Sequence, residues 1–374
     1  MMKNYYLPTN LLFGRGRISE IGTETAKWSK RALLVVGMGS AQKSGLLDRA
    51  LGILKEAGVF CEIFSGVEPN PTTTTVYKGA SIALEQNLGV IVGIGGGSVL
   101  DAAKAIAFSA LNPGDLSDYI FGRKTSDLAL PAILAPTTCG TGSEGNGFAV
   151  LTNPETGDKK SIKSHSIIAK ASIIDPELMQ TMPTRVLATV GFDALCHNME
   201  AFLSKGSHPI AEGIALRGVE LGASSLARAC SGSKCSKAWD DLAWASVMGG
   251  MAINMAGVTA PHGLEHPASG LRNITHGEGL AALTPVIFDR STGHGEDKFR
   301  VLANIIGRER NCASAVRRLL HDIDLLVKLS DLGVKEEDAE WMTDNALKIS
   351  KAGLDAHPKA FSREEIKEIY LAAM

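Results

Sequence analysis

The sequence predicts two domains: an α/β N-terminal domain over residues 1–182, built on a parallel, Rossmann-like sheet, and an all-α C-terminal domain over residues 183–374. Three observations predict this. The chain has 374 residues, more than the ~250 to 300 at which a single hydrophobic core stops growing. Its first half alternates short β-branched runs with helical patterns, the signature of βαβ units on a parallel sheet. Beyond about Met182 the strand pattern ends, and helical segments rich in Ala, Leu, Gly and Met continue to the C-terminus.

Taken in order, Ala32 to Val36 reads as the first buried strand, followed by a helix over Ser44 to Ala57 and a strand over Phe60 to Phe64. A helix over Thr73 to Gln86 leads to a strand over Val90 to Ile94. A further helix runs from Ser98 to about Ala110, and Pro131 to Ala135 reads as the next buried strand. Glycines punctuate the strand ends. No repeat, low-complexity tract or Pro/Ser-rich linker separates the halves, so a tight interface is expected, with a cleft between the domains as the default ligand site.

Composition narrows the partners. A formal charge of −2 and a pI near 6.5 leave no electrostatic excess for holding nucleic acid or an anionic membrane. Aromatic residues, at 5%, are too scarce to suggest base-stacking platforms. No apolar run approaches the ~18 to 20 residues of a membrane span. The six cysteines are scattered, and the N-terminal stretch has no signal-like apolar core, so a cytoplasmic protein with reduced thiols is expected. Cys230 and Cys235 read as ordinary loop cysteines, because a metal clip would need a second pair.

Three loops can hold a phosphate or ribose. Gly37-Met38-Gly39-Ser40 ends the first strand. Gly95-Gly96-Gly97-Ser98 ends a later one and runs into a helix carrying Asp101 and Lys104. Glycine lets the backbone approach a pyrophosphate, and a helix N-terminus offers unpaired N–H groups. Gln42 stands where the third glycine of a G-x-G-x-x-G fingerprint would fall, so the Rossmann strand order itself is not expected. The third loop, Pro136 to Glu144, carries the hydroxyls of Thr137, Thr138, Thr141 and Ser143.

The other constellation is metallic. Asp193 and His197 lie four apart in a helical context, so both project from one face a turn apart. His262, His266 and His276 follow in Pro261-His-Gly-Leu-Glu-His-Pro267 and Thr275-His-Gly277, which places four of the nine histidines with one carboxylate in two segments. A carboxylate with imidazoles suits Fe(II), Zn(II), Mn(II) or Ni(II), and ligand type alone does not choose among them.

At these positions the chain resembles the iron-dependent, or group III, alcohol dehydrogenases. The resemblance is carried by Pro8 to Gly14, Pro69-Asn-Pro-Thr72, Gly95 to Ser98 with Asp101 and Lys104, Pro136 to Glu144, Ile174-Asp-Pro-Glu-Leu178, Gly191 to His197, His262 to Gly277 and Ile366 to Ala373, and so spans essentially the whole chain. It implies a dinucleotide-binding N-terminal domain and a metal-binding helical domain. It also implies hydride transfer between a small primary alcohol or diol and NAD(H) or NADP(H). Asp193, His197, His262 and His276 become the ligands of a divalent ion, usually Fe(II), with Zn(II) also compatible. His266 becomes a non-ligand catalytic histidine. Gly37, Gly39, Ser40, Pro69, Asn70, Gly95, Gly96, Gly97, Ser98, Asp101, Thr137, Thr138, Thr141, Lys160, Leu178 and His276 become the cofactor contacts. A homo-oligomer is implied as well.

Met38 departs from the pattern of relatives that use NAD, which carry an aspartate there to bond the adenosine ribose. Its absence favours NADP(H), or use of both. Cys139 and Cys196 stand where relatives more often have Ala and Thr, and read as packing variants. Two kinds of enzyme share the implied architecture: zinc glycerol dehydrogenases and dehydroquinate synthase-like lyases. They typically lack the second helical ligand that His197 supplies, and a lyase acting on an anionic sugar phosphate would want more basic residues than Arg272 near the metal motifs. A non-catalytic binding protein would not be expected to keep every ligand and both glycine loops.

Overall fold

The computed structural model describes residues 6–232 and 235–374, and places six parallel strands in one sheet. In chain order these are β1 (Asn10–Phe13), β2 (Arg31–Gly37), β3 (Phe60–Val67), β4 (Val90–Gly95) and β5 (Ala132–Pro136). A separate antiparallel hairpin of β6 (Phe148–Thr152) and β7 (Lys159–Lys163) follows, and β8 (Ala171–Ile174) completes the sheet. The spatial order is β1-β8-β5-β4-β2-β3. Apart from the β1 edge, this is the 2-1-3-4-5 doubly wound order rather than the Rossmann order, in line with the incomplete glycine fingerprint.

Burial explains why the central strands form. Ala32 to Val36 and the whole of β4 are buried, as expected where helices cover both faces of a parallel sheet. On one face Leu33, Val35, Ile91 and Leu134 pack against helices Thr73–Glu85 and Gly97–Ser109. On the other, Leu34, Val36, Val92 and Ile94 pack against helix Leu46–Glu56. The chain reverses its winding between β2 and β4, so the loops after these strands flank the crevice where doubly wound sheets bind ligands.

The helix expected over Ser44 to Ala57 is Leu46–Glu56, and a short helix, Ser40–Lys43, precedes it. Gly45 between them has φ 73°, a left-handed conformation that interrupts the helical hydrogen bonding. β1, β8 and the β6–β7 hairpin are additions to the elements read from the sequence.

From Thr184 onward all regular structure among the described residues is helical. Helix Thr184–Leu203 is buried on every side from Leu187 on, and helices Pro209–Cys230 and Ser236–Ala256 pack against it. Helix Ala260–Arg272 stops at Asn273, whose φ of 50° is a left-handed cap, and three residues later His276 opens the next helix. No single helix among the described residues is long and apolar enough to cross a membrane.

Candidate active site

Four side chains from three helices meet at the floor of the cleft. Asp193 and His197 sit one turn apart on helix Thr184–Leu203, His262 lies in the first turn of Ala260–Arg272, and His276 is the first residue of His276–Arg290. Around Asp193 Oδ1 lie His262 Nε2 at 3.3 Å, His276 Nε2 at 3.6 Å and His197 Nε2 at 3.7 Å. Donors held ~2.0–2.2 Å from one ion lie roughly 3.0–3.6 Å apart. Asp193 Oδ1 and His262 Nε2 are both buried and complete no hydrogen bond. An unpartnered carboxylate oxygen facing an unpartnered imidazole nitrogen fits a divalent cation, and the oxygen–nitrogen donor set suits Fe(II) or Zn(II).

Behind the imidazoles stand two buried carboxylates, Glu200 and Glu265, whose part the motifs alone did not reveal. Glu200 Oε1 lies 2.5 Å from His262 Nδ1. Its Oε2 accepts the Thr259 N–H at 2.6 Å, the Thr259 hydroxyl at 3.2 Å and the His262 N–H at 3.4 Å. Burial opposes the Glu200 charge, but His262 and these hydrogen bonds hold its carboxyl below the usual range. Glu265 bonds His276 Nδ1, and also accepts from the Ser269 hydroxyl. A carboxylate on Nδ1–H fixes the tautomer, so that each Nε2 presents its lone pair to the metal position. The chain of contacts extends further, because the buried His357 places Nδ1 3.2 Å from Thr259 Oγ1 and Nε2 2.8 Å from Ser291 Oγ. Burial pushes the His357 imidazole down to about 4, so it stays neutral.

A cavity of about 640 Å³ opens above this floor. Its lining includes Asn70, Gly97, Ser98, Asp101, Thr141 and Lys160 from the cofactor set, together with His266 and all four proposed ligands. Gly37, Gly39, Ser40, Pro69, Gly95, Gly96, Thr137, Thr138 and Leu178 do not line it. Gly37 to Ser40, Gly95, Gly96, Thr137 and Thr138 lie along the carboxyl ends of β2, β4 and β5, where the Thr137 N–H bonds the Gly95 carbonyl at 2.9 Å. Leu178 is buried with Val36 and Ile94. Close packing explains two of the glycines: a Cβ on Gly97 would fall 2.2 Å from the Thr141 side chain, and one on Gly95 2.6 Å from that of Val99. Asp101 accepts from Ser143 Oγ at 2.5 Å and from the Val150 N–H at 3.0 Å, so one of its oxygens holds the Pro136–Glu144 loop and the other the hairpin against helix Gly97–Ser109. Beside it the wholly buried Lys104 donates to the Ser143 carbonyl at 2.8 Å, and burial lowers its ammonium to about 8.

The hairpin brings basic groups that the segment Pro261 to Gly277 lacks. Lys159, Lys160 and Lys163 all line the cavity, with Lys159 Nζ 3.7 Å from Glu265 and Lys160 Nζ bonded to the Ile349 carbonyl. Arg272 points elsewhere, to Asp338 at 2.6 Å. His266 stands beside the floor with its ring centre 5.7 Å from that of His276. Burial, and then the neighbouring Lys159, hold its imidazole well below 6.5, so it is neutral. Cys139 and Cys196 are buried packing residues, and none of the six cysteines forms a disulfide.

A doubly wound sheet whose Gly97-Ser98 loop opens onto a cluster of one carboxylate and three imidazoles fits a metal-assisted dehydrogenase. Comparison with known proteins agrees. The sequence model described as iron-containing alcohol dehydrogenase matches residues 8–176, and that of the C-terminal part of the Fe-containing alcohol dehydrogenase family matches residues 187–374. The chain is 36% identical to a 1,3-propanediol dehydrogenase of Citrobacter freundii, over 100% of this chain and 99% of that protein. Its fold is similar to that of an archaeal halo-thermophilic Red Sea brine pool alcohol dehydrogenase, with a TM-score of 0.96 and 34% identity over 100% and 99% of the two chains. It is likewise similar to a 1,3-propanediol oxidoreductase, with a TM-score of 0.93 and 34% identity over the whole of both chains. The chain belongs to the iron-containing alcohol dehydrogenase family, and is an alcohol oxidoreductase that uses a divalent metal and a nicotinamide cofactor.

The Glu200 contacts generate a prediction. Glu200→Gln removes the charge that fixes His262 while keeping the shape, so competitive chelator titration is expected to show a 10- to 100-fold loss of divalent-metal affinity. Unchanged affinity would show that Glu200 does not orient the ligand.

Proposed function

We propose that this chain interconverts small primary alcohols or diols and their aldehydes, holding ferrous iron, or zinc in its place, with Asp193, His197, His262 and His276. The reading includes NADP(H) alongside NAD(H), and a cytoplasmic homo-oligomer as the working form. The observation that carries it is the convergence of three imidazole Nε2 atoms within 3.3–3.7 Å of Asp193 Oδ1 on the floor of a cavity that Gly97 and Ser98 also line.

A divalent ion in that position would supply Lewis acidity that lowers the pKa of an alcohol hydroxyl, while the hydride passes from the carbon bearing it to the nicotinamide. The chain does the rest. Gly97 and Ser98, at the start of helix Gly97–Ser109, offer N–H groups to the pyrophosphate. Thr137, Thr138 and Lys160 hold the ribose and nicotinamide side, which positions the acceptor carbon. His266, neutral and on the cavity wall, takes the alcohol proton and returns it in the aldehyde-reducing direction. The coenzyme assignment rests on Met38, which is 74% exposed in a loop without an acidic side chain. Nothing there repels a 2′-phosphate or bonds a ribose hydroxyl in its place.

The direct test is anaerobic assay of chelator-stripped protein before and after Fe(II) or Zn(II) is restored, with NADH and NADPH followed separately against short aldehydes. Metal-dependent oxidation of both coenzymes is expected. No activity across the metallated panel would overturn the catalytic assignment, and oxidation of NADH alone would overturn the NADP(H) assignment.

His266→Ala is expected to lower turnover by roughly 10²- to 10⁴-fold with metal content unchanged. Equal turnover across the pH range would remove His266 from the proton path.

A further inference from the structure

The cavity has two unlike walls. On the α/β side its lining is mainly polar, with Ser98, Thr141, Asn146 and Ser161 beside Ile120, Phe148 and Val150. On the helical side, apart from the four proposed metal ligands and His266, every lining residue is apolar or glycine. The side chains there are Ile253, Met255, Ala256, Val258, Ala352 and Ala356, from the end of helix Ser236–Ala256, the turn after it and helix Lys351–Ala356.

Three backbone carbonyls of this wall already hold hydrogen bonds. The Ile253 carbonyl accepts the Gly257 N–H at 2.8 Å, the Ala256 carbonyl the Ser204 hydroxyl at 2.8 Å, and the Ala356 carbonyl the Lys205 N–H at 2.8 Å. Two polar side chains next to this wall in sequence are committed elsewhere: Asn254 Oδ1 accepts the Gly147 N–H at 3.1 Å and its amide donates to the Tyr6 carbonyl at 3.3 Å, and the Thr259 hydroxyl donates to Glu200 Oε2 at 3.2 Å. Gly257 adds room, since a Cβ built on it meets nothing within 4 Å.

A nicotinamide cofactor is a polar ligand and matches the polar wall. The carbon chain of a substrate whose reacting oxygen sits at the metal floor is left with the apolar wall. From this lining, and resting on the dehydrogenase reading above, we infer that the preferred substrate is a monohydric alcohol with an unbranched apolar chain, or its aldehyde, rather than a diol. A second hydroxyl on that wall would lose its water and meet no polar side chain. The inference therefore parts this chain from the relatives named for 1,3-propanediol, despite the identity of 36%.

Butan-1-ol and 1,3-propanediol form a matched pair, because one has a methyl group where the other has the second hydroxyl. With metal-loaded enzyme and saturating oxidised coenzyme, kcat/KM is expected to favour butan-1-ol by about 10- to 100-fold, the discrimination apolar pockets reach against an added hydroxyl. Val258→Thr places a hydroxyl on the wall at nearly constant shape, and is expected to shrink that ratio several-fold. Calorimetric binding of both alcohols to the coenzyme-loaded enzyme provides a readout independent of turnover. A ratio of one, a preference for the diol, or tighter diol binding overturns the inference, as does failure to bind either alcohol. Tighter binding of butan-1-ol with turnover of neither would leave the substrate class standing and remove the dehydrogenase reading instead.

Discussion

Asp193 is 3% exposed in the middle of a helix that is buried from Leu187 onward, where an unpaired carboxylate would cost several kcal/mol. Three imidazoles turn their Nε2 atoms toward it, and two further carboxylates, Glu200 and Glu265, stand behind two of those rings. Through His262 and His276, carboxylate and imidazole alternate outward from Asp193, so each of these two rings is answered by a carboxylate. Asp193 Oδ1 and His262 Nε2 stay unanswered at the centre, which is where a cation completes the arrangement. The helix packing follows from this requirement. Pro261 starts one helix so that His262 falls in its first turn, and the left-handed Asn273 ends it so that His276 can open the next.

A short hairpin is one of the places where the two halves of the chain meet, beside contacts such as Arg15–Asp240 and Asn70–Asn273. Three consecutive residues near the start of β7 and just before it reach into the helical half: Asp158 pairs with Lys348 and bonds Asn345, each at 2.8 Å, Lys159 faces Glu265, and Lys160 bonds the Ile349 carbonyl. The other strand of the hairpin is tied by the Val150 N–H to Asp101, on the helix that begins at the Gly97 loop. A continuous line of polar contacts therefore runs from the glycine loop through the hairpin to the carboxylate behind His276. The apolar wall formed by Ile253, Met255, Val258 and Ala356 lies outside this line, which keeps the binding of a polar coenzyme separate from that of a carbon chain.

Much of this was legible in the sequence, for physical reasons that differ by element. β2, β4 and β5 announced themselves because both their faces are buried, giving unbroken apolar runs between glycines. β1 has four residues at a sheet edge, too few to set a pattern, and β7 reads Lys-Lys-Ser-Ile-Lys because it faces the cavity and the helical half rather than a core. Asp193 with His197, and His262 with His276, showed through helical spacing and crowding of histidines. Glu200 and Glu265 lay inside the same motifs, and an acid beside histidines was the available signal, but only the fold shows which ring each one meets. Thr259 and His357 join the network from positions 98 residues apart, a pairing that no local pattern encodes.

The measurement that tests the central claim most directly is X-ray absorption at the metal edge of anaerobically purified protein, with Asp193→Ala alongside. The account predicts one ion per chain, coordinated by nitrogen and oxygen at about 2.0–2.2 Å without sulfur, and loss of that ion in the variant. A shell containing sulfur, or an ion retained undisturbed without Asp193, would contradict it.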